Sequence, residues 1–86
     1  MALASLSYIK GTVKLLDIPV DTQAIFSSLE NVTSLRARLN QYGLYQGDLM
    51  RVVRIAPLGG PILIEVNGRE IALGREIAEK ILVELE

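Results

Sequence analysis

The chain has 86 residues, half of them apolar, and nine Lys and Arg against ten Asp and Glu give a net charge of −1. A chain of this size folds as one domain, so residues 1–86 are treated as a single unit. With no cysteine and no histidine, disulfides, thiolate or imidazole metal sites and the usual proton shuttle are excluded. The scattered charge offers no footprint for nucleic acid, and no apolar run approaches the roughly 18 residues of a membrane span. We therefore expect a soluble, unprocessed cytosolic protein.

The first strand is predicted over residues 12–18, where an apolar run stops at Pro19, which cannot donate to a strand ladder. The stretch from about 22 to 29 then favours a second, short helix, because its apolar residues recur with a 3.6-residue period. These residues are Ile25, Phe26 and Leu29.

A longer helix is predicted from about residue 33 to 42, with Asn31 or Thr33 as its N-cap. Its apolar face is built from Val32, Leu35, Leu39 and Tyr42, at the spacings of a helical stripe. Gly43 stands where a left-handed residue ends a helix, and Leu44 can fold back on the last turn.

A turn centred on Gly47 leads into a strand predicted over Leu49–Ile55. Both faces of this strand carry apolar residues, and Arg51 and Arg54 interrupt opposite faces. The pattern fits either a strand covered on both sides or a strand with a bulge that exchanges its faces, and the sequence leaves both open.

Asn67 and Gly68 predict a type I′ hairpin turn, which determines the register of the two strands that flank it. The inward face is then Ile62, Ile64, Ile71 and Leu73. On the outer face Glu65 lies opposite Glu70, which is unfavourable unless a cation is close. We expect the guanidinium of Arg51 or Arg54 on the neighbouring strand to pair with these carboxylates.

The end of the chain predicts one helical turn within residues 75–80, which buries Ile77, and a last strand over residues 80–86. About five strands with one inserted helix, joined by short turns, indicate a mainly β domain. The expected architecture is a small, partly open barrel whose first and last strands pair.

No catalytic residue, metal ligand or cofactor site is predicted. The serines lie outside any Gly-x-Ser-x-Gly motif and have no imidazole to activate them. The pair Glu65 and Glu70 is better explained as part of a salt-bridge ladder than as catalytic carboxylates. The remaining glutamates lack the spacing of a calcium-binding loop.

The loop over residues 57–61 has a proline at each end and Leu58, Gly59 and Gly60 between them. Its glycines lack the Lys-Ser/Thr that follows them in a phosphate-binding loop, so their role is conformational. Leu58 either fills the mouth of its own barrel or is offered to a partner, and both interpretations stay open.

A set of residues between positions 35 and 83 resembles the FeoA family. In chain order the set is Arg38-Leu39, Gly43-Leu44, Gly47, Arg54-Ile55-Ala56-Pro57-Leu58-Gly59-Gly60-Pro61, Ile71-Ala72-Leu73 and Ile81-Leu82-Val83. After Leu73 the family usually shows several basic residues, of which this chain keeps Arg75.

The resemblance implies an SH3-like barrel with an inserted helix, no enzymatic activity, and regulation of FeoB, the GTPase-coupled ferrous transporter of the inner membrane, at its cytosolic part. It also brings an association with transition-metal binding, for which this chain has no histidine or cysteine ligand. The alternative is a peptide-binding or regulatory domain like the one that ends DtxR-type iron-dependent repressors. The lack of a DNA-binding domain in this sequence favours a free-standing FeoA protein. A weak homodimer is left open.

Partner contacts are expected where the resembling positions fall on a helix end and a loop, because such contacts concentrate there. The candidates are Arg38, Leu39, Leu44, Pro57, Leu58, Gly59, Gly60 and Pro61. For Leu39 and Leu44, packing in the core is the competing interpretation.

Overall fold

Six strands and two helices make up the structure, a computed structural model that describes residues 12–29 and 34–85. The strands are β1 (Thr12–Lys14), β2 (Ala24–Leu29), β3 (Leu49–Ile55), β4 (Ile62–Val66), β5 (Arg69–Leu73) and β6 (Ile81–Leu85). The helices are α1 (Ser34–Tyr42) and α2 (Arg75–Ala78), and a 3₁₀ turn spans Leu15–Asp17. The predicted N-caps of α1, Asn31 and Thr33, lie outside the described residues.

All strand pairs are antiparallel, and the strands form one sheet in the order β1-β6-β2-β3-β4-β5. The predicted pairing of the first and last strands is confirmed, with Val13 opposite Val83. Among the described residues the sheet is not closed, because β1 and β5 are its two edges. The mainly β, SH3-like architecture is therefore confirmed, with six strands instead of about five.

The short helix expected over residues 22–29 is wrong, since this stretch forms the inner strand β2. Its backbone is held by β3 on one side and β6 on the other, so pairing with distant segments overrides the local 3.6-residue pattern. A bulge between Phe26 and Ser28 breaks the alternation of faces. The sequence therefore lacks the regular alternation of apolar and polar residues that predicts a strand.

The first strand is shorter than expected, because the chain leaves β1 after Lys14 and turns at Leu15–Asp17. The amide of Ile18 donates to the carbonyl of Leu15 at 3.3 Å. Leu15 and Ile18 are both buried, so a turn in place of a straight strand brings two residues three positions apart into the core.

The end of α1 confirms the predicted left-handed stop. Gly43 has a φ of 99°, its amide donates to Asn40 at 3.0 Å, and the amide of Leu44 donates to Leu39 at 2.9 Å. These two bonds are the pair that defines a Schellman motif. Gly47, with a φ of 93°, then turns the chain into β3 and donates to the carbonyl of Phe26 at 2.8 Å.

The hairpin of β4 and β5 has the predicted register, with Glu65 opposite Glu70. Asn67 and Gly68 both have positive φ, 53° and 81°, as a type I′ turn requires. Of the two alternatives for β3, the structure shows the bulge, between Val52 and Arg54. The bulge explains why arginines at positions 51 and 54 can both avoid the core.

One hydrophobic core lies between the inner face of the sheet and α1. The residues fully excluded from solvent include Leu15, Phe26, Leu39, Leu44, Met50, Val52, Ile62, Ile64, Val66, Leu73, Ile81 and Val83. The expected inward residue Ile71 is half-buried, and in α2 Ala78 is buried more deeply than Ile77. Each fully buried large side chain contributes roughly 1.5–3 kcal/mol of hydrophobic free energy.

Candidate interaction surface

The loop that joins β3 to β4 is a second tight turn with positive φ at both central positions. Leu58 has a φ of 60° and Gly59 a φ of 74°, and the amide of Gly60 donates to the carbonyl of Pro57 at 3.2 Å. A bond of 3.1 Å from the amide of Ala56 to the carbonyl of Pro61 closes the base of the loop. The geometry is that of a type I′ turn, for which leucine is a poor residue.

Gly60 is needed for close packing inside this loop. A Cβ atom at this position would lie 2.8 Å from the Cβ of Ala56 and 3.2 Å from the carbonyl oxygen of Pro57. The tight packing holds the loop in one shape, with Leu58 at its tip. Leu58 is 102% exposed, so its side chain points away from the barrel and does not fill the barrel mouth. Its contact with a partner stays a prediction.

A groove of about 380 Å³ lies where the loop, α1 and α2 meet. It is lined by Arg38, Tyr42, Gly59, Gly74, Arg75, Glu76 and Ile77. Two of the predicted partner-binding residues, Arg38 and Gly59, are thus brought together although they lie far apart in the sequence. A neighbouring hollow shares Arg38, Glu76 and Ile77 with it and adds Leu35 and Lys80. We call the two together the arginine groove.

Leu39 and Leu44 do not line the arginine groove. Both have 0% exposure and belong to the core. Core packing is therefore the interpretation that fits these two leucines, and they are removed from the candidate surface.

A second, apolar hollow of about 210 Å³ lies on the outer face of the sheet. Its lining residues are Arg54, Ala56, Pro61, Leu63 and Ala72. Arg54, Leu63 and Ala72 form one row across three strands, because Arg54 lies opposite Leu63 and Leu63 opposite Ala72. The 57–61 loop thus contributes Gly59 to the arginine groove and Pro61 to this hollow.

The predicted cation beside the glutamate pair is Arg51. Its Nε donates to Glu65 at 2.7 Å, and its Nη1 pairs with Asp21 at 2.5 Å. The hydrogen bond to Glu65, and then the charge of that carboxylate, raises the pKa of the Arg51 guanidinium. Because this pKa is higher in the folded state, the interactions of Arg51 contribute fully to stability at neutral pH. Their contribution to stability is lost only in strongly alkaline solution.

Of the nine residues that line the arginine groove, two, Arg38 and Gly59, are sequence candidates. The other seven are Leu35, Tyr42, Gly74, Arg75, Glu76, Ile77 and Lys80. The sequence predicts Tyr42 on the apolar face of the helix and Ile77 as buried, yet Tyr42 is 40% exposed and Ile77 is half-buried. Arg75 follows Gly74 directly, and its Nε is buried without a hydrogen-bond partner. The signal available in the sequence was the position of Arg75 as the basic residue after Leu73.

Within residues 12–29 and 34–85, no three acidic side chains come close enough to hold a metal ion together. In the same part of the chain, neither helix has the length and apolar character that crossing a bilayer demands.

Comparison with known proteins gives a family match over most of the chain. The model of the FeoA domain matches residues 13–85. No curated protein matches the sequence.

Solved structures of similar proteins agree with this match. The FeoA protein from Chlorobium tepidum is 34% identical, with a TM-score of 0.73 over 85% of this chain and 70% of that one. A crystal structure of an iron uptake regulatory protein (FeoA) is 27% identical, with a TM-score of 0.70 over 85% of this chain and 94% of the other. A manganese-dependent transcriptional repressor, 16% identical, shares the fold with a TM-score of 0.76, and the match covers 87% of this chain and 42% of the repressor.

Proposed function

Since this chain belongs to the FeoA family, we propose that it is a non-enzymatic accessory protein of bacterial ferrous-iron uptake that binds the cytosolic part of a FeoB-type transporter. It acts in the cytoplasm and reaches the inner membrane through this partner. Its surface for the transporter is the 57–61 loop together with the arginine groove.

One observation carries the choice of surface: Leu58 is fully exposed in a left-handed conformation that leucine disfavours. Strained residues persist mainly where they serve a function, and a large apolar side chain at the tip of a rigid loop is suited to filling a pocket on another protein. Because the loop is already ordered, binding costs little conformational entropy.

The proposal is tested by titrating the purified cytosolic part of a FeoB-type transporter with this protein and with Leu58→Asn. Burying a leucine contributes about 1.5–3 kcal/mol, so the variant should bind roughly tenfold more weakly or worse. The matched control is Leu49→Thr, since Leu49 is 41% exposed at the opposite end of β3. Equal binding by Leu58→Asn and wild type would discard this surface.

The fold shared with a manganese-dependent transcriptional repressor supports one alternative, a regulatory or peptide-binding domain related to repressor C-terminal domains. The two functions differ in their partners. A transporter gene of the FeoB type beside the gene for this protein, together with binding of its cytosolic part, favours the first function. Binding to a repressor and not to the transporter favours the second.

A further inference from the structure

We infer that the arginine groove binds carboxylate side chains of an acidic segment of the protein partner. The inference rests on the proposed function and adds the chemistry of the segment that is bound. Leu58 would supply the apolar contact, and the groove behind the loop would supply the charge recognition.

Positive charge is concentrated at the groove, although the chain as a whole has no excess of positive charge. Its cations are Arg38, Arg75 and Lys80 and its one anion is Glu76, while the whole chain has a net charge of −1. None of the three cations takes part in an ion pair with another described residue. Their charges are thus available to a ligand, and an acidic ligand is the complementary one.

Arg75 gives an independent reason to expect a carboxylate. Its Nε has no hydrogen-bond partner although the atom is buried. Buried donors are nearly always paired, so this one is an exception that a ligand can correct. Arginine binds a carboxylate through two parallel N–H donors, and Arg75 lines the groove where such a ligand would lie.

The shape and the apolar lining favour a protein segment over an anionic membrane. The groove is concave, and its cations are interleaved with Leu35, Tyr42 and Ile77. A peptide with an acidic residue next to an apolar one matches this lining, and an exposed leucine on the adjoining loop extends the apolar contact. A membrane surface would favour a broad, flat basic face, whereas this groove is concave and has apolar residues between its cations.

The test uses the purified cytosolic part of a FeoB-type transporter as the probe and a pair of matched charge reversals. Arg38→Glu changes a residue of the groove, and Arg36→Glu makes the same change two positions away on α1, at an exposed residue outside the groove. Arg38→Glu should weaken binding roughly tenfold to a hundredfold, as expected for lost hydrogen bonds between charged groups. Arg36→Glu should change it less than about threefold.

A second variant and a salt series separate the outcomes. Arg75→Gln should also weaken binding, and the affinity of wild type should fall as salt is raised while that of Arg38→Glu falls less. Thermal unfolding of each variant verifies that it is folded. If wild type binds and both groove variants bind as tightly as wild type, the inference is overturned, while the proposed binding to the transporter through the 57–61 loop stands.

Three other results would also overturn the inference. Equal losses for Arg36→Glu and Arg38→Glu would indicate general charge attraction in place of a groove. Binding to vesicles of phosphatidylglycerol and phosphatidylcholine that Arg38→Glu removes, without binding to the transporter fragment, would assign the groove to a lipid surface. No binding of wild type to the fragment would overturn the proposed function and the inference together.

Discussion

Two turns of the same type in this protein are built from different residues. Asn67 and Gly68 form one, with φ values of 53° and 81°, and Leu58 and Gly59 form the other, with 60° and 74°. Asparagine tolerates the left-handed region because its short side chain bonds locally, whereas a residue such as leucine costs about 1–2 kcal/mol there. Full exposure of Leu58 means that no burial offsets this cost.

Replacing Leu58 by asparagine should therefore stabilise the protein while it weakens partner binding. We expect Leu58→Asn to raise the free energy of unfolding by about 1 kcal/mol, which for a domain of this size is roughly 4–8 °C in melting temperature. Urea denaturation measures the change. The reverse exchange, Asn67→Leu, should lower stability by a similar amount. A Leu58→Asn variant that unfolds at lower urea than wild type would show that the leucine is not strained.

The elements that the sequence predicts well are those that their local residues are sufficient to specify. The β4–β5 hairpin needs only the Asn-Gly turn and the alternation beside it, and α1 needs only its apolar stripe and Gly43. β2 needs β3 and β6, whose partner residues Met50 and Val83 lie far along the chain. The helical spacing of Ile25, Phe26 and Leu29 could not reveal that requirement.

On the outer face of the β4–β5 hairpin, two carboxylates lie opposite each other, which is unfavourable. Glu65 pairs with Arg51 on one side and faces Glu70 on the other, and Glu70 has no ion pair with another residue that the structure describes. Glu70→Lys would replace a like-charged pair by an opposite pair and extend the row of alternating charges.

We expect Glu70→Lys to raise the free energy of unfolding by roughly 0.5 kcal/mol in low salt, the usual size of a cross-strand pair. The gain should shrink in about 1 M sodium chloride, where charges more than about 3 Å apart are screened. Chemical denaturation at the two salt concentrations measures both effects. Glu84→Lys is the control, because Glu84 lies opposite Thr12 and Ile25 and has no carboxylate across from it. Equal gains from both changes would point to net charge as the cause.

At the scale of the whole molecule, the candidate surface is assembled from three distant parts of the chain. Position 38 on α1, position 59 in the loop and position 75 on α2 meet only because the sheet positions the ends of β3 and β5 beside the helix. The sequence identified Arg38 and the loop through a resemblance, but it gave no distance between them. Likewise, the unpaired Nε of Arg75 depends on neighbours that only the folded chain supplies.

The sheet also joins distant parts of the chain through β6, so we expect the stability of the fold to depend strongly on this strand. It is the last strand in sequence, yet it lies between β1 and β2 and joins the first edge to the rest of the sheet. Ile81 and Val83 are fully buried, while Leu85 on the same strand is 45% exposed. Substitutions along β6 should therefore differ according to how far each side chain reaches into the core.

We expect Ile81→Ala to lower the free energy of unfolding by about 2–5 kcal/mol, because it removes buried methyl groups and leaves a cavity. That is a large part of the roughly 4–13 kcal/mol expected for a domain of 86 residues, so the variant should be near its folding limit. Leu85→Ala, the matched control on the same strand, should cost less than about 1 kcal/mol, since much of its side chain is already in water. Urea denaturation gives both values. Equal losses for the two variants would mean that Leu85 lies against a further surface, and a negligible loss for Ile81→Ala would contradict the central place of β6.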